Sequence, residues 1–240
     1  HCDDFPCEFI IAREQRSGYD HAVRAAGARF VEVGFNEIVS NAGVRRTEAW
    51  EYEAAFTDQT AGVFYGYGRD TEPPLAEVIQ RAHKHNLPVL VDAAGELPPK
   101  RNLKEIATLG ADLVAFSGGK AIRGPQSTGI LCGRSDLVSS AAIQMLDMDD
   151  HLQLWDPPPE LVDKDKLDGL PRHGIGRPLK VSKEEILALM TALELFASGG
   201  YDRDWDEQHA RLKSIATRLA DRAVTCEIDG TAEAERSPML

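Results

Sequence analysis

Two segments of the chain combine an apolar run with polar residues that could do chemistry. The first is Pro88–Pro99, with the sequence PVLVDAAGELPP, and the second is Leu113–Gly129, with the sequence LVAFSGGKAIRGPQSTG. Asp92 stands at the end of the first apolar run, and Lys120 follows shortly after the second. Open α/β sheets bind their ligands at the carboxyl ends of their strands, so both side chains are candidates for a binding or catalytic site.

A lysine and an aspartate in these positions meet the needs of pyridoxal 5′-phosphate (PLP). The amine of Lys120 could form a Schiff base with the cofactor aldehyde, and the carboxylate of Asp92 could keep the pyridine nitrogen protonated. Ser117, followed by the small residues Gly118 and Gly119, offers hydroxyl and N–H groups to a phosphate. A lone lysine in a glycine-rich loop is usually a solvated lysine. The joint pattern, with both residues in strand contexts, is more specific than either part.

Two other motifs could account for the same residues. A Walker A loop needs a glycine and a following Ser or Thr where this chain has Val114 and Ala121, so that interpretation fails. The sequence Ala115–Gly119 comes close to the G-x-S-x-G elbow of α/β-hydrolases, with Ser117 as the nucleophile. An elbow must run directly into a helix, whereas Gly124–Pro125 interrupts this segment. The hydrolase stays an alternative.

Composition narrows the class of protein. The chain has 240 residues, 42% of them hydrophobic, which is enough for a substantial core. No stretch is apolar for long enough to span a membrane. Its net charge of −12 disfavours a broad nucleic-acid surface. The four cysteines, Cys2, Cys7, Cys132 and Cys226, show no zinc-site spacing and are typical of reduced thiols in the cytoplasm, with no metal site expected.

Apolar runs and helical patterns alternate along the first part of the chain. Six runs predict strands: Phe9–Ala12, Phe30–Gly34, Gly62–Tyr67, Pro88–Ala93, Leu113–Phe116 and Gly129–Cys132. Helical patterns lie between several of them, at Tyr19–Ala26, Glu48–Phe56 and Leu75–Lys84. Because the runs are apolar throughout, they predict a mainly parallel sheet that is covered on both faces, which is α/β architecture.

Helix ends and the last part of the chain can also be predicted. Thr47 is a candidate N-cap, and Ser182 with Glu185 forms a capping box before an apolar helical stripe that indicates core packing. Gly199–Gly200 should end that helix. A second, charged helix is predicted over Asp202–Ala223, followed by the start of a strand at Val224–Ile228.

The sequence resembles a known family in these same motifs. VDAAGELPP, followed by GADLVAFSGGKAIRGPQSTGILCGR, looks like the PLP-dependent, fold-type-I group that includes L-seryl-tRNA selenium transferase and D-glucosaminate-6-phosphate ammonia-lyase. The likeness covers most of residues 8–200, and SGGK…RGPQSTG is its most specific part. The resemblance implies a three-layer PLP-dependent transferase-like large domain with a mainly parallel central sheet.

The resemblance also implies roles for individual residues. Lys120 would carry PLP, Asp92 would face the pyridine nitrogen, and Ser117 would help to hold the phosphate. Gln15 takes the position where many relatives place a ring-stacking histidine, and His21 is a weaker substitute. The other implied contacts to the cofactor are Gly118, Ala94 and Gln126, with Gln126 often across a subunit boundary. Arg177 and Lys180 are candidates for an anionic group of the substrate.

The family further implies an organisation and an activity. Residues 1–180 would be the PLP-binding large domain, lacking its N-terminal segment, and residues 181–240 would hold connecting helices and the start of a C-terminal small domain. The expected activity is α,β-elimination, as in an ammonia-lyase, on an amino-acid or amino-sugar-acid substrate, in a cytoplasmic homo-oligomer. The alternatives are a selenium transferase, a class-V-like aminotransferase and an inactive truncated scaffold.

Overall fold

The computed structural model describes residues 5–35, 38–39, 43–68, 70–229 and 239. Cys2 lies outside the described residues. Eight strands are present in this part of the chain. They are β1 (Glu8–Ala12), β2 (Arg29–Val33), β3 (Ile38–Val39), β4 (Gly43–Val44), β5 (Thr60–Gly66), β6 (Val89–Asp92), β7 (Leu113–Ser117) and β8 (Gly129–Gly133).

Six of the strands form one sheet, in the order β2-β1-β5-β6-β7-β8, and β3 pairs with β4. The pairs β1–β2, β1–β5, β5–β6 and β6–β7 are all parallel. β8 returns as in an antiparallel hairpin, because Gly118 N–H donates to Thr128 O at 2.9 Å and Arg134 N–H donates to Asp112 O at 2.8 Å. The six predicted strands and the mainly parallel α/β sheet are therefore confirmed.

The core lies on the apolar strand residues. Ile10, Val63, Val89, Val91 and Val114 all have no exposed surface. Strands that are buried on both faces read as continuous apolar runs, which is why these segments could be recognised in the sequence.

Seven α-helices accompany the strands within the residues that the structure describes. They are α1 (His21–Ala25), α2 (Ala49–Ala54), α3 (Leu75–Lys84), α4 (Asn102–Thr108), α5 (Ser135–Gln144), α6 (Lys183–Ser198) and α7 (Asp202–Leu219). α3 has the predicted bounds, and a short 3₁₀ turn at Gly18–Asp20 precedes α1.

The predicted N-cap at Thr47 is wrong by one residue. Glu48 is the N-cap of α2 and forms a capping box with Glu51. Thr47 instead donates its hydroxyl to Glu14 Oε2 at 2.6 Å and its N–H to Glu14 Oε1 at 2.9 Å. A tertiary contact with a carboxylate has replaced the local capping contact.

The two ends of α6 agree with the sequence, but its packing agrees only in part. Ser182 and Glu185 form the capping box, and Gly199 ends the helix with a φ of 88°. Ala192 and Phe196 are buried, as a core stripe requires, whereas Met190 is 60% exposed. Within the described residues, only one edge of the apolar stripe is covered.

The strand predicted at Val224–Ile228 is absent. α7 ends at Leu219, and the described residues 220–228 form no strand; Asp229 and Met239 form an isolated bridge. A short apolar segment forms a strand only where a neighbouring strand accepts its hydrogen bonds, and the described residues offer none here.

Asp112 is a buried charge that connects several elements. Its carboxylate accepts from Val89 N–H at 2.8 Å, contacts His83 of α3 at 2.9 Å and accepts from Arg134 at 3.0 Å. Burial opposes ionisation of Asp112, but these hydrogen bonds outweigh it and lower the pKa of the carboxyl group. Asp112 thus fixes the start of β6 and the end of β8.

The chain divides into two compact units. The first unit contains His1–Ala93, Ile106–Ala115 and Ile130–Lys180, and the second contains Ala94–Glu105, Phe116–Gly129 and Val181–Leu240. The predicted division at residue 180 stays a prediction. Among the described helices, none has the length and apolar character needed to cross a bilayer.

Candidate active site

Asp92 stands where a strand of the parallel sheet ends. It is the last residue of β6, it is half-buried, and it pairs with Ala115 of the neighbouring strand β7. β7 continues to Ser117, which precedes Lys120 by one short turn. The predicted acid and the predicted amine therefore follow adjacent parallel strands, at the edge where such sheets bind ligands.

The segment that carries Lys120 is a tightly closed turn within the second unit. Gly124 N–H donates to Gly118 O at 2.8 Å, and Arg123 N–H donates to Lys120 O at 2.9 Å. Gly118 N–H donates to Thr128 O, so this N–H group is used in closing the turn. The structure has turns here and no helix, so the α/β-hydrolase elbow lacks the helix that it requires.

The two glycines before Lys120 are required by packing. A methyl group on Gly118 would lie 2.2 Å from Thr128 Oγ1, and one on Gly119 would lie 2.6 Å from Gln126 Cα. Gln126 is exposed and donates from Nε2 to Gly119 O at 2.9 Å. These contacts hold the Lys120 turn in one conformation. The predicted cofactor contacts of Ser117, Gly118 and Gln126 stay predictions.

The amine of Lys120 lies beside the loop that follows β6. A methyl group placed on Gly95 would be 3.9 Å from Lys120 Nζ, and Ala94 is the preceding residue of that loop. Lys120 also lines a cavity of about 790 Å³ within the second unit. Small-molecule sites commonly measure about 300–1,000 Å³, so the cavity can take a cofactor-sized ligand.

Charged and aromatic side chains line this cavity. Four cations, Lys100, Arg101, Lys120 and Arg123, share its wall with Phe196, Tyr201, Trp205, Asp202, Asp204 and Asp206. The three aspartates lie on α7, whose first residue is Asp202. This cavity was not predicted from the sequence. The best sequence signal for it was Arg123, which lies in the RGPQSTG motif.

Gln15 lies at the point where the strand order reverses, in the first unit. The chain runs from β1 to β2 on one side and later places β5 on the other side of β1. Gln15 Oε1 accepts from Gly66 N–H at the end of β5 at 3.0 Å, and its Nε2 donates to Glu72 O at 3.2 Å. Ligands of open α/β sheets bind at such reversals. A ring-stacking role for Gln15 stays a prediction.

Two further groups next to Gln15 were not anticipated. Burial opposes ionisation of Glu14, but the hydrogen bonds from Thr47 outweigh it and hold the pKa of Glu14 below its ordinary value. Burial raises the pKa of Tyr52 well above its ordinary value, and the Tyr52 hydroxyl accepts from Ala12 N–H at 3.1 Å. At neutral pH, these shifts favour the charged form of Glu14 and the uncharged form of Tyr52.

The remaining candidates are placed on the surface of the first unit. His21 is the first residue of α1 and is exposed. Arg177 is 60% exposed and forms an ion pair with Asp147, while Lys180 is exposed at the end of a 3₁₀ turn. Substrate contacts of these three residues stay predictions.

The donor set fits PLP. The cofactor needs a lysine amine with space beside it, a carboxylate for the ring nitrogen and hydroxyl or N–H donors for the phosphate. Side chains of these types are present in the chain: Lys120 on the cavity wall and the half-buried Ser117 belong to the second unit, and Asp92 at a strand end belongs to the first.

Comparisons with known proteins agree with this chemistry. Residues 39–149 match the family model of class-V aminotransferases. A 5′-C-glycyluridine monooxygenase-decarboxylase of Streptomyces sp is 30% identical over 226 residues, which are 90% of this chain and 47% of the relative. A D-glucosaminate-6-phosphate ammonia lyase of Salmonella typhimurium is 27% identical over 182 residues, covering 74% of this chain and 38% of the relative.

A solved structure extends the agreement to the fold. The structure of a D-glucosaminate-6-phosphate ammonia-lyase superposes with a TM-score of 0.61 at 23% identity, over 96% of this chain and 53% of that one. The chain spans about half the length of the relatives it matches, or less. The resemblance expected from the motifs is confirmed: over most of its length the chain is similar in sequence and in fold to PLP-dependent enzymes of fold type I.

Proposed function

We propose that this chain is the lysine-bearing part of a PLP-dependent lyase that catalyses α,β-elimination on an amino-acid or amino-sugar-acid substrate. The observation that carries the proposal is the position of the Lys120 amine, beside Gly95 and on the wall of a cavity of about 790 Å³. The relative named for ammonia-lyase activity supports the reaction, because D-glucosaminate 6-phosphate, the compound in its name, is an amino-sugar acid.

Each proposed role follows from the chemistry of a side chain. When bound, PLP supplies an electron sink that stabilises a carbanion at the substrate carbon bearing nitrogen. Lys120 would hold the cofactor covalently. Once the substrate amine has replaced it on the cofactor, the freed Lys120 amine would take the proton from that carbon. Asp92 would keep a proton on the ring nitrogen. Ser117 would bind the phosphate, and Gln15, Ala94, Gly118 and Gln126 would complete the surroundings of the cofactor.

We also propose that the full-length protein acts as a homo-oligomer on a small-molecule substrate. In the family that the motifs resemble, residues next to the lysine turn often contact the cofactor of the neighbouring subunit. Gln126 is exposed and stands in that part of the chain, where a partner could reach it.

Covalent labelling tests the cofactor assignment. The full-length protein is mixed with PLP, reduced with borohydride and digested, and the modified lysine is found by peptide mass. We expect the label on Lys120, because this residue lines a cavity large enough for the cofactor. Lys120→Ala should abolish this label.

Lys104→Ala is the matched control, since Lys104 is exposed on α4 and lies outside the cavity. It should leave the label on Lys120 unchanged. Label spread over lysines other than Lys120, or none at all, would overturn the assignment and favour an inactive scaffold. Once labelling succeeds, release of ammonia from D-glucosaminate 6-phosphate with a keto product would support elimination, and conversion of PLP to its amine form would indicate transamination instead.

A further inference from the structure

Arg123 is held in a specific position on the cavity wall that it shares with Lys120. Its guanidinium carbon lies 4.4 Å from the centre of the Tyr201 ring, an arrangement in which the ring face attracts the cation. Its backbone has a φ of 64°, a left-handed conformation that is uncommon for a residue other than glycine. Such conformations persist where the surroundings enforce them, and they are frequent at ligand sites.

The guanidinium of Arg123 is already paired with a carboxylate of the protein. Arg123 Nη1 donates to Asp204 Oδ2, and Asp204 lines the same cavity from α7. The planar guanidinium fork matches a carboxylate in shape and charge. The Asp204 side chain therefore shows what kind of group this position accepts.

Breaking the ion pair between Arg123 and Asp204 costs little free energy. The side chains of Arg123 and Asp204 are 45% and 40% exposed, and ion pairs with that exposure contribute little to stability. Asp204 lies in the first turn of α7, where a negative charge is favourable with or without a cation beside it. Release from Arg123 would leave Asp204 in a favourable place.

We propose that Arg123, stacked on Tyr201, binds a carboxylate of the substrate, and that Asp204 occupies this position until the substrate displaces it. The inference rests on the proposed function, which brings the substrate to Lys120. Arg123 N–H donates to Lys120 O at 2.9 Å, so the two side chains leave the same turn and line one cavity. The cation of Arg123 would orient the substrate toward the amine.

A pair of ligands that differ only in charge tests the proposal. The full-length protein without PLP is titrated with propionate, and with propionamide as the neutral counterpart, at constant ionic strength. Trp205 lines the cavity, so its fluorescence reports binding, and Trp205→Phe identifies its share of the signal. The titration does not require the cofactor.

Two substitutions are expected to change propionate affinity in opposite directions. Arg123→Ala should weaken binding about tenfold or more, as for the loss of a charge-assisted hydrogen bond, and Arg123→Lys should retain part of it. Asp204→Asn should tighten binding by about two- to fivefold, because a competing carboxylate is removed. Propionamide should bind weakly to every variant.

Arg211 and Glu207 provide matched controls on α7. They form an exposed ion pair at 3.4 Å outside the cavity, so Arg211→Ala and Glu207→Gln should leave propionate binding unchanged. The proposal is overturned if Arg123→Ala binds propionate like the wild type, if Asp204→Asn fails to tighten binding, or if propionamide binds as well as propionate. Failure of the proposed function would appear separately, as the absence of a PLP label on Lys120.

Discussion

At the scale of single residues, two side chains of opposite charge carry the proposed chemistry. Asp92 ends β6, and Lys120 follows β7 after one turn, so strand pairing controls where each of them emerges. Neither residue is unusual alone. Together they are informative, because one cofactor needs both an amine for its aldehyde and a carboxylate for its ring nitrogen.

Asp92→Asn tests the role of the carboxylate without any substrate. Asparagine keeps the shape of the side chain but loses the charge that would pair with a protonated ring nitrogen. We expect the affinity for PLP to fall about tenfold or more, as measured by a spectroscopic titration of the full-length protein. Asp58→Asn, at an exposed loop position, should leave the affinity unchanged. If the Asp92→Asn variant binds PLP with wild-type affinity, the proposed contact of Asp92 with the cofactor is wrong.

At the scale of elements, the turn between β7 and β8 determines where Lys120 stands. The turn is closed by backbone hydrogen bonds, and α6 packs on it, since Leu189 Cδ1 would lie 2.8 Å from a methyl group on Gly118. Because so little space is available, the position of Lys120 depends on residues that have no chemistry of their own.

Gly118→Ala should therefore damage both stability and the site. The added methyl group would meet Thr128 Oγ1 at 2.2 Å, which forces the turn to move. We expect a loss of about 1–3 kcal/mol in the free energy of unfolding, measured by denaturant titration, and reduced PLP labelling of Lys120. Gly18→Ala is the matched control, because nothing lies within 4 Å of its added methyl group. Equal stability of the two variants would contradict the packing argument.

At the scale of the whole molecule, the candidate residues are distributed over both compact units. Gln15, His21, Asp92, Arg177 and Lys180 belong to the first unit, and Ala94, Ser117, Gly118, Lys120 and Gln126 belong to the second. α6 also exposes apolar side chains, with Leu187 at 64% and Met190 at 60%. Exposed apolar side chains that lie together often mark an interaction surface.

We expect the full-length protein to be a homo-oligomer. Light scattering after size exclusion should give a mass of at least two subunits, and dilution should not dissociate the assembly while PLP labelling persists. A monomer that still labels Lys120 would refute the need for a partner.

The sequence by itself determined the strands, several helix ends and the two main candidates. Continuous apolar runs predicted all six strands of the large sheet, and Ser182 and Gly199 marked the ends of α6. These signals are local, because an apolar run and a helix cap each consist of residues that are close in the chain. Asp92 and Lys120 were recognised because they follow such runs directly.

Only the tertiary structure decided which distant side chains meet. It replaced the predicted cap at Thr47 with hydrogen bonds to Glu14, and among the described residues it gave Val224–Ile228 no strand partner. It also brought Arg123 to Asp204 and Tyr201 in a cavity that no motif describes. Contacts of this kind depend on how whole elements pack, and they cannot be predicted from the residues that neighbour each other in the sequence.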